Sequence, residues 1–527
     1  MPTSQTTGPG LRLAELIASL SLAIDLGLGQ PMEHFLRACL LAVRLGELLD
    51  LSEQELSEVY YLGLIRHLGC TAQAWEVAAV CGDDNALNSW LLAVDQGRPT
   101  EMLAAFFQHL GKGESALRRT RLLVNALAAV PWMIGGLTVA RCEVGQHLAE
   151  RLGLVSGIRD ALGQVYERWD GKGLPNKLKG EAILLPVRVV QLAQDAELFS
   201  RLGGTEAAVT MARKRAGGLY DPHLVERFCQ QASQLLEKPY PSSLWEAVLT
   251  AEPGPHPYLA EADLDRALRA VADFVDLKSP YTVGHSSGVA ELAAEAAQQS
   301  GLPESDVETL RRAGWLHDLG RIGVSNTIWD KPGPLSEAEW EHVRLHPYYT
   351  ERVLAHLKGL GQVGVIAAQN HERLDGSGYH RGIPATMLPM TARILAVADI
   401  YHALTEPRPY RSAQAADAAA SELHSQVRGG LLDDAAVRAV LMVAGHRLRS
   451  TRHQWVAGLT DREIEVLRLV ARGHSNRQMA TLLSISASTI HHHIQHIYAK
   501  IGVSTRAAAT LFAMQHQLLN EIDEAKK

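Results

Sequence analysis

The sequence has almost no period-two alternation of apolar and polar residues, the mark of a half-buried strand, so a β-rich fold is excluded. No run approaches eighteen uninterrupted apolar residues, and no transmembrane helix is expected. Cysteine is scarce: the five, at 39, 70, 81, 142 and 229, fall singly with no CxxC. Neither a zinc ribbon nor a disulfide framework is therefore indicated. An excess of basic charge is lacking too. Lys and Arg number 51 against 58 Asp and Glu, a net charge of −7, so the chain as a whole is not coated in nucleic-acid-binding surface. The opening MPTSQTTGPG is polar and lacks the basic start and apolar run of a signal peptide. The expectation is a cytoplasmic protein with no membrane contact.

What is present is helical. At 527 residues the chain should hold about three domains. Leu11–Ile24, Glu33–Leu49 and Glu53–Leu68 show apolar faces at helical spacing, broken by Gly, Pro or a capping residue such as Ser52. Five prolines between residues 238 and 259 mark a linker, and the interrupted periodicity of 446–457 marks a second. Residues 1–10 and 521–527 read as tails.

Between residues 285 and 399 lie His285, the doublet His317-Asp318, His346, Asn370-His371-Glu372, the run DGSGY at 375–379, and Asp399. Several sit inside apolar helical patterns, as Asp399 does behind Ile394, Leu395 and Val397. Ionisable groups aimed inward from separate helices are costly to bury unless something pairs with them. A metal centre is the usual solution, and imidazoles with one or two carboxylates suit Fe, Mn or Zn better than Mg or Ca.

The same pattern occurs earlier in weaker form. His285 precedes His317 by 32 positions, and His34 precedes His67 by 33. His346 lies 29 before Asp375, and Cys142 lies 28 before Asp170. Asp375 to Asp399 is 24, and Asp170 to Asp195 is 25. Local words agree as well: ERLDGSGYHRGI against ERWDGKGLPNKL. Residues 11–237 and 260–445 thus read as two copies of one helical unit, the first carrying an insertion from roughly Thr71 to Leu117. Its counterparts of His285, His317, Asp318, His346, His371 and Asp399 are His34, His67, Leu68, Cys142, Tyr166 and Asp195. A bridging carboxylate and two imidazoles are gone, so the first copy keeps the scaffold without the metal site.

The words YTVGHSSGVA, HDLGRIGVS, HPYYTERVL, NHERLDGSGY, ARILAVADIYHAL and RPYR resemble the HD-GYP family, a branch of the HD phosphohydrolases. The resemblance implies an all-α fold and a centre of two or three ions, here two divalent transition metals, Fe or Mn, that hydrolyses cyclic di-GMP. Two ions would lower the pKa of a shared water and clamp the phosphoryl oxygens. By the match, Asp318 bridges the metals. His285, His317 and Asp399 complete one shell, and His346 with Asn370 or His371 the other. Asp318 and Arg321 are the expected catalytic pair. Gly376, Gly378, Tyr379, Arg408 and Arg411 are expected at the substrate, the guanidinium forks suiting phosphate and the glycines a close backbone approach. Four positions depart from the family: Asn370 for a histidine, Arg321 for a lysine, His380 for the proline of the signature, and His402 for an aspartate.

Residues 458–520 form a separate small module. Thr460-Asp-Arg-Glu463 and Ser475-Asn-Arg-Gln478 are capping boxes. Ser486 can cap a helix with an apolar face of Ile490, Ile494, Ile497 and Ile501, opposite Ser488, His492, Gln495, His496 and Lys500. This is a helix-turn-helix pattern. The segment carries a net +3 and the rest of the chain −10, which isolates the nucleic-acid end. It is similar to the LuxR-type DNA-binding domain, a four-helix unit. The resemblance implies that Arg477 and Lys500 hold phosphates and that Ser488, Thr489, His492, His493, Gln495 and His496 lie on or near the groove-facing side. It also implies a homodimer on an inverted-repeat promoter site.

The expected protein is a one-component transcription regulator: tandem HD-type helical domains, the second metal-bearing, followed by a LuxR-type helix-turn-helix domain. Two alternatives stand beside it. One is an HD domain that senses a ligand without turning it over; the other is a phosphohydrolase for a different nucleotide or phosphate ester.

Overall fold

A computed structural model describes residues 10–237, 243–446 and 456–519. The described residues contain helices and no strand, and the three β-contacts are isolated bridges. The all-α expectation is met. The chain divides into two compact units, one holding most residues up to Ala267 and the other most of those from Leu268 onward. No single helix among the described residues is long and apolar enough to cross a membrane.

In the first unit the three leading helices run Leu13–Gly27, His34–Leu48 and Glu53–Ile65. Ser52 caps the third, its hydroxyl accepting from Glu55 N–H while the Glu55 carboxylate accepts from Ser52 N–H. Such a box contributes about 1 kcal/mol. Val77, Cys81, Leu87, Phe106 and Leu110 of the inserted stretch form a small core with Ala126 of the following helix, Ala116–Arg151. Residues 238–259 are less of a linker than their prolines suggest. Within them Ser243 caps a helix, Leu244–Thr250, and buried Glu252 pairs with Arg12. The expected tails, residues 238–242 and most of 446–457 lie outside the described residues, apart from Gly10.

The second unit is organised around the helix His285–Gln299. Its small residues admit close neighbours: a Cβ on Gly314 would sit 2.5 Å from Ala290 Cα. Glycine recurs where the His317-Asp318 doublet meets the helix His346–Leu354. A Cβ on Gly320 would sit 2.0 Å from His346 O. These approaches let side chains from separate helices converge on one point. In the same unit the C-terminal module forms Asp461–Ala471, Asn476–Leu482, Ala487–Ile501 and Arg506–Gln515. Both expected capping boxes are formed, and Ile490, Ile494 and Ile497 are buried.

The two copies share detail below the level of helices. Glu372 accepts from Arg381 N–H and Ile383 N–H, both at 2.9 Å. Glu167 accepts from the matching Asn176 N–H at 2.6 Å and Leu178 N–H at 2.9 Å. Gly376 and Gly171 have φ of +78° and +79°. Cβ atoms on Gly378 and Gly173 would each lie 2.4 Å from the Cα of Glu372 and Glu167.

Gly320→Ala should destabilise the protein by about 1–3 kcal/mol, because the obstruction is backbone and cannot swing aside. Gly333→Ala, with nothing within 4 Å of the added carbon, should be near neutral. Urea midpoints at unchanged m-value measure both.

Candidate metal centre

Four imidazoles converge on two buried carboxylates. His317 ends the helix Glu304–Leu316, and its Nδ1 lies 2.8 Å from Gly314 O. His346 Nδ1 lies 2.6 Å from Val343 O. These carbonyls hold the Nδ1–H tautomer, so each ring presents Nε2 to the centre. His285 Nε2 lies 3.2 Å from Asp399 Oδ1 and 3.8 Å from Asp318 Oδ2. His317 Nε2 lies 3.6 Å from Asp318 Oδ1 and 3.8 Å from Asp399 Oδ1. His346 Nε2 is 3.7 Å from Asp318 Oδ1, and His371 Nε2 is 4.0 Å from Asp399 Oδ2.

Most of these separations are too long for hydrogen bonds. They are close to what donors ~2.1 Å from a shared ion would show. Buried His317 Nε2, His346 Nε2 and Asn370 Oδ1 have no hydrogen-bond partner. Orphaned acceptors at the meeting point of two carboxylates fit a metal, and a core polar cluster satisfied by its own hydrogen bonds would not leave them. Among the described residues, the donor atoms of His285, His317 and Asp318 lie within 4.8 Å of one another, as do those of Asp318, His346 and His371. Asp318 belongs to both groups.

The electrostatics follow from burial. It raises a carboxylate, yet His317, Arg321 and His285 outweigh it at Asp318 and hold that group below the usual range. Asp399 is likewise held down, by His285 and His317. Burial would lower His285, but Glu406 and Asp399 reverse the effect and raise it to about 10. Desolvation prevails at His346, pushed down to about 4, and at His371, down to about 3. Both are neutral and ready to ligate at pH 7.

The surrounding positions are arranged as follows. Arg321 lies 3.1 Å from Asp318 Oδ2, its guanidinium over the Trp329 ring. Tyr379 stacks on His371 with centroids 4.9 Å apart. Asn370 is fully buried, its Nδ2 3.5 Å from Asp399 Oδ2. Gly376 has a φ of +78° and Gly378 fits close against the Glu372 backbone, and the same glycine geometry recurs in the first copy. Arg411 donates to the carbonyls of Ala403, Leu404 and Glu406. Arg408 pairs with Glu406 and donates to Tyr281 O. Sequence reasoning missed Glu406, whose Oε2 is 2.8 Å from His285 Nδ1.

The first copy disposes of its charges internally. Asp195, at the position of Asp399, pairs with Arg215 at 3.0 Å and accepts from Tyr220 OH. His34 pairs with Glu197. Cys70 bridges His67 Nδ1 at 3.6 Å and Tyr166 OH at 3.4 Å. Among the described residues, no donor group of the kind above is found there.

In the C-terminal module Arg477, Ser488, Thr489, His492, Gln495 and His496 are exposed, and His493 is half-buried. Lys500 is exposed as well. It donates to Glu463 at 2.7 Å and to Gly458 O at 3.0 Å, tying its helix to the first capping box.

Comparison with known proteins agrees with this anatomy. The HD domain family matches residues 138–224 and again 269–435, and the family of bacterial regulatory proteins of the luxR type matches 457–513. The chain is 34% identical over 426 residues to the 3′3′-cGAMP-specific phosphodiesterase 3 of Vibrio cholerae serotype O1, covering 80% of this chain and 91% of that one. It is 37% identical over 176 residues to the cyclic di-GMP phosphodiesterase response regulator RpfG of Xanthomonas campestris pv. campestris, covering 33% of this chain and 46% of that one. The crystal structure of a cyclic GMP-AMP-specific phosphodiesterase of V. cholerae, V-cGAP3, superposes with a TM-score of 0.58 at 31% identity, covering 84% of this chain and 99% of that one.

Protein prepared with Mn(II) or Fe(II) should lose its metal on His317→Ala or Asp318→Ala and keep it on His67→Ala. Elemental analysis finding metal retained in the first two would refute the assignment.

Proposed function

The chain belongs to the HD-GYP family of HD-domain phosphodiesterases and carries a luxR-family module behind its second HD copy, and on that premise we propose that it hydrolyses a 3′3′-linked cyclic dinucleotide and links that ligand to DNA binding. The observation that carries the proposal is the cluster of imidazole Nε2 atoms around Asp318 and Asp399, two of them buried without a partner. A relative that aligns over 80% of this chain is named for 3′3′-cGAMP, which makes that dinucleotide the first substrate to test, beside cyclic di-GMP.

His285, His317, Asp318 and Asp399 would hold one ion, and Asp318, His346 and His371 would hold the other. When bound, the ions, Fe or Mn by donor type, supply Lewis acidity toward water and phosphate oxygens. Arg321, beside Asp318, is placed to draw in a phosphate with its planar guanidinium. Burial raises Tyr379 to about 12, so it stays a hydroxyl able to donate to a phosphate oxygen. The C-terminal module holds DNA through Arg477 and the exposed face from Ser488 to His496, as a homodimer on an inverted repeat.

Purified protein with Mn(II) or Fe(II) should linearise one of the two cyclic dinucleotides, and Asp318→Ala should abolish the reaction. Binding without turnover would favour the sensor reading, and turnover of other nucleotides alone would favour a different phosphohydrolase. Asn370→His replaces a weak amide donor with imidazole. Metal occupancy should rise and turnover increase on the order of tenfold, equivalent to ~1.4 kcal/mol. Equal rates and equal metal content would mean that His371 already completes the shell.

Gel shifts test the DNA end. Affinity for a promoter inverted repeat should fall steeply with salt as counterion release loses its advantage. Arg477→Ala should weaken all sequences alike, and Gln495→Ala should act selectively. No binding to any fragment at low salt would remove the regulator reading.

A further inference from the structure

The helix Met390–Thr405 delivers Asp399 to the centre and ends just before Glu406. Glu406 is charged, half-buried, and in contact with three cationic or ionisable side chains. Its Oε2 lies 2.8 Å from His285 Nδ1 and 2.9 Å from Arg408 Nη2, and its Oε1 lies 3.0 Å from His402 Nδ1. The His402 contact is an ion-pair approach without hydrogen-bond alignment. Arg408 is anchored at its other end on Tyr281 O at 2.8 Å.

Room for His402 is made by Gly288, one turn along the helix that His285 opens. A Cβ there would fall 1.9 Å from His402 Nε2. Three residues therefore fit one another: a glycine that leaves space, an imidazole that fills it, and a carboxylate held between that imidazole and an arginine. The output of this arrangement is the orientation of a single ring. With Nδ1 fixed by Glu406, the opposite nitrogen of His285 faces Asp399 and Asp318.

We propose that Glu406 is a positioning residue of the metal centre: it fixes the ring of His285 and strengthens it as a donor, and Gly288, His402 and Arg408 serve to hold Glu406 in place. A carboxylate on the far nitrogen sets a ligating histidine's tautomer and raises its basicity, and its loss typically weakens metal binding 10–100-fold. His317 and His346 have only carbonyls in that place, so of these three donors His285 is the one with a charged partner. The inference rests on the metal-centre reading above.

The test is metal affinity of the full-length apo-protein, measured by chelator competition with Mn(II), and the visible spectrum of the Co(II)-loaded protein. Glu406→Gln keeps the shape and removes the charge. It should raise the Mn(II) dissociation constant 10–100-fold and alter the Co(II) spectrum, with the thermal midpoint of the apo-protein unchanged. His402→Ala, which removes one support and leaves Arg408, should shift the constant in the same direction by less. A purely structural Glu406 would move the apo midpoint and leave the spectrum as it was. Unchanged affinity and spectrum in Glu406→Gln, with wild type binding metal, overturns this inference alone. Failure of the wild type to bind metal overturns the centre itself, and this inference with it.

Discussion

Two carboxylates buried among apolar helices are the constraint on which the second HD copy depends. Asp318 and Asp399 are nearly inaccessible, and an uncompensated charge at such depth costs several kcal/mol. Local neighbours supply part of their compensation, as Arg321 does for Asp318, and the imidazoles of His285, His346 and His371 come from other segments. The interhelical approaches at Gly314 and Gly320 are therefore part of the electrostatics as well as the packing. Without them the rings of His285, His317 and His346 would stand too far apart to share a partner.

The first copy met the same constraint in another way. At the position of Asp399 it keeps Asp195 but answers it with Arg215 and Tyr220, a covalent cation and a hydroxyl where the second copy offers imidazoles to an ion. At the position of Asp318 it places Leu68, which is buried and needs no answer. Both solutions leave the surrounding loop intact, since Glu167 and Glu372 each accept from two backbone amides at matched positions. The loop is a backbone structure with its own hydrogen-bond logic, and it persists whether or not chemistry takes place beside it.

Much of this was legible in the sequence. The helical class followed from apolar spacing, the capping boxes from residues three apart, and the duplication from motif separations that agree to within one position. What escaped was the partner choice of long polar side chains. Glu406 and His285 are 121 positions apart, and no local pattern announces their pairing. Lys500 reaches 37 positions back to Glu463, a pairing that nothing in its own helix announces. Arg411 folds onto the carbonyls left open at the end of the helix preceding it. Short-range rules give element ends and faces; which of several possible partners a flexible charged side chain takes is settled by the tertiary fold.

The paired loops at Glu167 and Glu372 have a practical consequence. A single polypeptide contains the same piece of backbone twice, once beside a metal centre and once beside an arginine, under the same solvent, temperature and expression history. Any perturbation applied to both, whether an isotope label, a fluorine probe or a matched substitution, yields a difference in which the mechanical behaviour of the loop cancels. What remains is the contribution of the ligands alone, and the molecule supplies its own blank.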